Sequence, residues 1–185
     1  DGRDDGMTWH TEDGPRQTPI LAGRLDEATR PYGWNGRNDT LDGHLQRTLQ
    51  RLRGTGLTRD ERDAIFAYLR EIEIPSASAR APSPHLERGR ALYEDAGVGC
   101  ADCHGLDEAT TDGRTHDLGM LAAGDRQRAF NTPSLRFVGR SAPYFHDGRY
   151  PTLAALLADP DSNMGHAADL SGDDRAALEA FLRSL

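Results

Sequence analysis

This 185-residue chain has no lysine, only two cysteines, 6% aromatic residues and no apolar run of membrane-spanning length. Each shortage removes a class of answers. Two cysteines cannot build a disulfide framework, and a zinc site needs about four ligands and usually more cysteine than this. Without about 20 consecutive apolar residues there is no membrane span to assign. A hydrophobic fraction of 36% with a mean hydropathy of −0.70 predicts a thin core. The 22 basic residues, all arginine, are outnumbered by 30 acids, for a net charge of −8. Phosphates would go unneutralised, so nucleic acid is excluded as a partner. An acidic surface suits the steering of a basic partner protein instead. Use of arginine alone reads as the coding bias of a GC-rich genome.

Both cysteines fall in Cys100-Ala101-Asp102-Cys103-His104. This C-x-x-C-H spacing is that of covalent haem attachment. On a helical turn two residues three apart project to one side, so both thiols can add to the vinyl groups on one porphyrin edge. His104 then follows directly as proximal iron ligand. A thioredoxin-like pair would need a βαβ context, and no strand pattern surrounds the motif. A disulfide across so small a loop would stabilise little. One haem c is therefore expected. Haem of this type is attached outside the cytoplasm, which implies a periplasmic or otherwise extracytoplasmic bacterial protein, its secretion signal removed or upstream of Asp1.

The chain also repeats itself. Arg16-Gln17-Thr18-Pro19-Ile20-Leu21 matches Phe130-Asn131-Thr132-Pro133-Ser134-Leu135, and Pro31-Tyr32-Gly33-Trp34-Asn35-Gly36 matches Pro143-Tyr144-Phe145-His146-Asp147-Gly148. Thr40-Leu41 and Leu57-Thr58 match Thr152-Leu153 and Leu170-Ser171 at the same offset of 112 to 114. Between the halves lies a Pro/Ser/Ala linker, 75–84. Thr58 with Glu61 forms a capping box before the apolar stripe Ile65, Phe66, Leu69 and Ile72. Ser83-Pro84 opens a helix through Leu86 to Ala96 that leads into the haem motif. Ser171 caps a last helix with Leu178, Phe181, Leu182 and Leu185 on one side. Only the second half carries a C-x-x-C-H. A first half of about 75 residues without haem, metal or disulfide has a marginal core, so a lost motif upstream of Asp1 is expected.

The iron's other face has several candidates. Met164, in the turn-like segment before the last helix, is the leading sixth ligand; a thioether there raises the potential and suits electron transfer. Met120 reads as loop packing. His146 and His166 remain alternatives, His146 more simply a hydrogen-bonded structural residue. His10, His44, His85 and His116 read as solvated surface. Arg136, after the Thr132-Pro133-Ser134-Leu135 block, is the candidate partner for a haem propionate, which wants a planar, always-charged donor.

The segments Phe130 to Arg136, Ala142-Pro143-Tyr144-Phe145-His146-Asp147-Gly148, Thr152-Leu153 and the closing Leu170 to Leu185 resemble the C-terminal haem domain of bacterial di-haem cytochrome c peroxidases and MauG-like enzymes. The resemblance covers residues 85–185 and, more loosely, the first half. It implies a high-potential haem with His104 and Met164 as ligands. It also implies a role for Trp9, followed by Gly14-Pro15-Arg16, as a candidate electron path, since that family holds a tryptophan between its haems. The family's first haem motif is absent here, Trp34 stands where the second half has His146, and Asp159-Pro160-Asp161 looks like an insertion ahead of Met164. The expected fold is all-α and cytochrome c-like, in two tandem lobes: 1–74 without a C-x-x-C-H, linker 75–84, and mono-haem domain 85–185. The expected function is single-electron transfer between redox partner proteins. The alternative is a di-haem peroxidase or MauG-like oxidase whose first haem motif lies upstream of Asp1.

Overall fold

A computed structural model describes residues 4–72, 82–107 and 109–185. Most of the linker 75–84, up to residue 81, lies outside the described residues. Five helices form where the caps predict them. α1 (Leu41–Arg51) starts at Thr40, whose Oγ1 accepts from Gly43 N–H at 3.1 Å. α2 (Arg59–Glu71) starts at the Thr58/Glu61 capping box. α3 (Pro84–Glu94), α4 (Leu153–Leu157) and α5 (Gly172–Leu182) begin after Ser83, Thr152 and Ser171, each side chain accepting from the backbone three residues on. These side chains satisfy amide donors that the first helical turn leaves open.

The expectation of an all-α fold is not met. The chain is 37% helical and 10% strand. β1 (Thr8–Thr11) pairs antiparallel with β2 (Gly14–Gln17), and β3 (Thr115–Asp117) with β4 (Ala129–Asn131). Strands of three or four residues are too short to show the alternation of period two by which strands are read. The two ribbons occupy equivalent places in the two halves, immediately before the Thr-Pro blocks.

The repeat in sequence is a repeat in backbone conformation. Tyr32 bridges Asn38 in the first half, and Tyr144 bridges Tyr150 in the second. Gly33 (φ 82°) and Phe145 (φ 77°) are both left-handed, as are Gly23 (φ 69°) and Phe137 (φ 58°). A Cβ makes that region costly by roughly 1–2 kcal/mol, so the second half holds its two phenylalanines there through packing. Phe145 lies within the core between His146, Tyr150 and the Arg149 guanidinium.

The halves are stitched by exchanged hydrogen bonds. Gln17 N–H donates to the His146 carbonyl at 2.7 Å, and Asn131 N–H donates to the Trp34 carbonyl at 2.9 Å. Arg24 Nε donates to the Arg136 carbonyl, while Arg136 Nη1 donates to the Gly23 carbonyl, both at 2.7 Å. The hydrophobic core belongs mainly to the second half, where Tyr93, Leu153, Leu178 and Leu182 pack together. α1 and α2 bury no residue fully.

α3 crosses α5 at Gly89, where an added Cβ would lie 2.1 Å from the Ala177 carbonyl oxygen. In an open helix Gly→Ala gains about 1 kcal/mol from propensity. Here the clash is with backbone, and overpacking of this kind costs about 1–3 kcal/mol or more. Gly89→Ala should therefore lower the melting temperature of the protein. A melting point at or above that of the parent would show that the helices do not cross there.

Candidate cofactor site

The C-x-x-C-H segment folds as a 3-10 turn over Cys100–Asp102, entered through left-handed Gly99. Its chain then closes back with His104 N–H on the Cys100 carbonyl at 3.1 Å. Fully buried Tyr93, on α3, donates its hydroxyl to the His104 carbonyl. The His104 imidazole is half-buried on the cavity wall, with Nδ1 at 3.3 Å from the Thr110 carbonyl. That partner fixes Nδ1 as the protonated nitrogen and leaves Nε2 as the lone-pair donor, the arrangement a metal-bound imidazole uses. Burial pulls the His104 pKa down to about 4, so the ring is neutral and able to ligate at neutral pH. Burial, with Asp102 nearby, raises the Cys100 thiol to about 11, and burial raises Cys103 as well.

These groups line a cavity of about 570 Å³ that runs to the interface between the halves. Met164 is on its wall together with Cys100, Cys103 and His104. The methionine loop is pinned on either side. Asn163 Nδ2 donates to the Leu118 carbonyl at 2.9 Å, and His166 N–H donates to the Val98 carbonyl at 2.9 Å. Gly165 (φ 120°) is required there, since a Cβ would approach the Val98 carbonyl oxygen to 2.5 Å. Met120 lies against the core, its sulfur 3.6 Å from the Tyr150 hydroxyl.

The far wall comes from the first half and the interface: Gln17, Arg24, Trp34, Asn131 and His146. Four of these carry a buried polar atom with no hydrogen-bond partner: Gln17 Nε2, Arg24 Nη2, Asn131 Oδ1 and His146 Nδ1. Unpaired buried polar groups are costly. All four residues line the cavity, which fits a cofactor that brings polar substituents into it.

His146 is 2% exposed and stacks on Phe130, ring centroids 3.7 Å apart. Its Nε2 is 2.9 Å from Asp125 Oδ2, and Arg16 Nη1 is 2.5 Å from Asp125 Oδ1. Burial lowers the His146 pKa. The imidazole thus faces, through Nε2, a carboxylate that Arg16 also holds.

Other candidates fall elsewhere. Arg136 is held by the Gly23 carbonyl and the Asp26 carboxylate and is not on the cavity wall. Trp9 sits on β1, 53% exposed, with Nε1 donating to Asp5 at 2.7 Å. His10 and His85 are exposed, and His166 is exposed but also lines the cavity. His116 is not simply solvated: its Nε2 is 2.7 Å from Asp112 Oδ2, and together with Cys103 these two form a cluster with metal-ligating atoms within 4.8 Å of one another. His44 is partly buried beside Asn38 and the Tyr32 ring. It lines a second cavity of about 270 Å³ within the first half, walled by Leu41, Leu45, Phe66 and Leu69 and shared by Arg24 and Trp34 with the first.

Residues 86–184 match the family model of the di-haem cytochrome c peroxidases, more than half the chain, so the protein belongs to that family. MauG-like members of the family bind haem c, and this one is a haem-binding redox protein by that membership. Among curated proteins, the chain is 26% identical to the hydrazine synthase gamma subunit of Kuenenia stuttgartiensis over 221 aligned positions, covering 90% of this chain and 63% of that one. It is 38% identical over 84 residues to the methylamine utilization protein MauG of Methylorubrum extorquens, covering 38% of this chain and 23% of that protein. The chain thus spans less than two-thirds of the length of either relative. Among solved structures it superposes on Kuenenia stuttgartiensis hydrazine synthase with a TM-score of 0.83 at 22% identity, covering 100% of this chain and 78% of that one. A MauG-like protein associated with microbial copper homeostasis gives 0.68 at 21% identity, covering 98% and 77%. Both establish the fold.

His146 gives a pH prediction. Its folded pKa lies below the ordinary 6.5. As pH falls through about 6.5 the unfolded chain takes up a proton that the folded chain refuses, so stability drops by up to about 1.4 kcal/mol per pH unit from this group. His146→Gln should flatten that part of the slope between pH 7 and pH 5 in denaturant titrations. An unchanged slope would mean that His146 protonates in place.

Proposed function

We propose that this protein is a c-type cytochrome that passes single electrons, with haem attached through Cys100 and Cys103 and ligated by His104 and Met164. The observation that carries the reading is that all four side chains line one cavity, with the His104 imidazole neutral and its Nδ1 occupied by the Thr110 carbonyl. Haem iron held there supplies reversible one-electron chemistry whose potential the protein sets. Tyr93 and Thr110 hold the proximal histidine in orientation. Leu118, Val98 and Gly165 fix the loop that presents Met164. Phe130, Phe145, Leu135 and Val138 keep the cavity apolar, and an apolar surround with a thioether ligand favours the reduced state. With His104 and Met164 both ligating, a haem held here would offer no open site to peroxide. No helix among the described residues is long and apolar enough to cross a membrane. Covalent attachment of this kind is made outside the cytoplasm, which supports a periplasmic or otherwise extracytoplasmic location, and the net charge of −8 suits basic redox partners.

A second reading has its own observation. The apolar cavity of the first half sits where the repeat sets the haem cavity of the second. A second, open-sided haem there, with its C-x-x-C-H upstream of Asp1, would make the protein a peroxidase-type or MauG-like oxidoreductase, with Trp9 or Trp34 on the route between the two sites.

Denatured mass of the protein from its native host counts the haems: one supports the electron carrier, two the enzyme, none refutes both. For the ligand set, Met164→His should lower the midpoint potential and abolish the long-wavelength sulfur-to-iron band while the iron stays low-spin. A variant with unaltered potential and spectrum would remove Met164 from the iron.

A further inference from the structure

We propose that Arg24 is the anion receptor of the main cavity, a positioning residue that pairs with a carboxylate of the bound cofactor; resting on the haem reading above, that carboxylate is a propionate. Arg24 follows left-handed Gly23, as Val138 follows left-handed Phe137 in the second half, so the repeat turns both residues toward the same interface. Both line the cavity. Where the second half places an aliphatic side chain, the first places a guanidinium.

That guanidinium is held but not neutralised. Its Nε donates to the Arg136 carbonyl at 2.7 Å, which fixes the plane of the group. Its Nη2 is buried without a hydrogen-bond partner. Among the described residues no carboxylate lies within ion-pair reach of it. Asp4 acts on it from further off, and Arg136 and Tyr144 are the other charged or titratable groups that do so. Burial pulls its pKa down to about 10, the sign of a cation short of compensation. A buried, uncompensated cation is unfavourable until an anion joins it. The planar fork that remains after Nε is engaged suits a carboxylate. Arg136 is the reverse case: Asp26 and the Gly23 carbonyl already hold it, away from the wall.

The test uses the full chain with haem attached, as parent, Arg24→Gln and Arg24→Lys, with attachment verified by denatured mass. Arg24→Gln should shift the midpoint potential downward, because an unpaired propionate charge stabilises ferric iron, and Arg24→Lys should restore most of it by restoring the charge. The resonance Raman band of propionate bending, which follows hydrogen bonding to the carboxylate, should shift in both variants because neither has the guanidinium fork. If Arg24→Gln yields no holoprotein, Arg24→Lys decides alone by its Raman band. Haem attached with potential and band unchanged would overturn the role of Arg24 and leave the haem reading standing. No haem on the parent protein would overturn both.

Discussion

Two backbone hydrogen bonds, Gln17 N–H to His146 and Asn131 N–H to Trp34, hold this structure in register. Each takes a donor at the end of one half's ribbon and an acceptor in the other half's Pro-Tyr loop. Because the exchange is reciprocal, neither half can shift without breaking both. The bonds lie at the cavity wall, so they also decide which side chains face the cofactor. Trp34 and His146 meet edge to face with ring centroids 6.5 Å apart, and Arg24 is fixed by its bond to the Arg136 carbonyl. A small second-half core is thereby completed by the first half.

Much of this was legible in the sequence, for identifiable reasons. The caps Thr40, Thr58, Ser83, Thr152 and Ser171 act through local geometry, and every one starts a helix. The C-x-x-C-H is likewise local. The Thr-Pro and Pro-Tyr blocks showed their repeat because the same turns recur, even with Gly33 replaced by Phe145. What was not legible depends on contacts distant in sequence. The strands are stabilised by their position at the interface rather than by any alternation of their own, so an all-α reading followed. His44 and His116 are the local exceptions, held by Asn38 six residues away and Asp112 four residues away through contacts that no motif announces. Arg136 adjoins a recognisable block and Arg24 does not, so the place of Arg24 on the cavity shows only in the structure. The shared left-handed turn at Gly23 and Phe137 was the signal, and it needs the backbone to be seen.

The two buried arginines of the interface show how charge accounting separates structure from function. Arg16 is buried and paired with Asp125, which also accepts from His146, and its guanidinium lies over the Phe130 ring at 5.2 Å. That triad satisfies its charges internally and braces the wall. Arg24, eight residues further on, donates to a backbone carbonyl and has no partner at Nη2. The difference lies in what each has as a partner. A group left unsatisfied beside three other unsatisfied polar atoms points outward from the protein to a ligand.

The same reasoning bears on the first half. α1 and α2 are amphipathic helices that bury no residue, and Leu41, Leu45, Phe66 and Leu69 face a cavity instead of a core. Apolar surface around a void forfeits both hydrophobic and dispersion gains. As a brace for the second half, this segment would need only its ribbon, its Thr-Pro turn and its Pro-Tyr loop, which make the interfacial bonds. The helices add nothing to that wall. Their retention, aimed at an apolar cavity that shares Trp34 and Arg24 with the first, is the feature that a simple one-haem carrier does not account for. It is also the feature that gives the two-haem reading its physical weight.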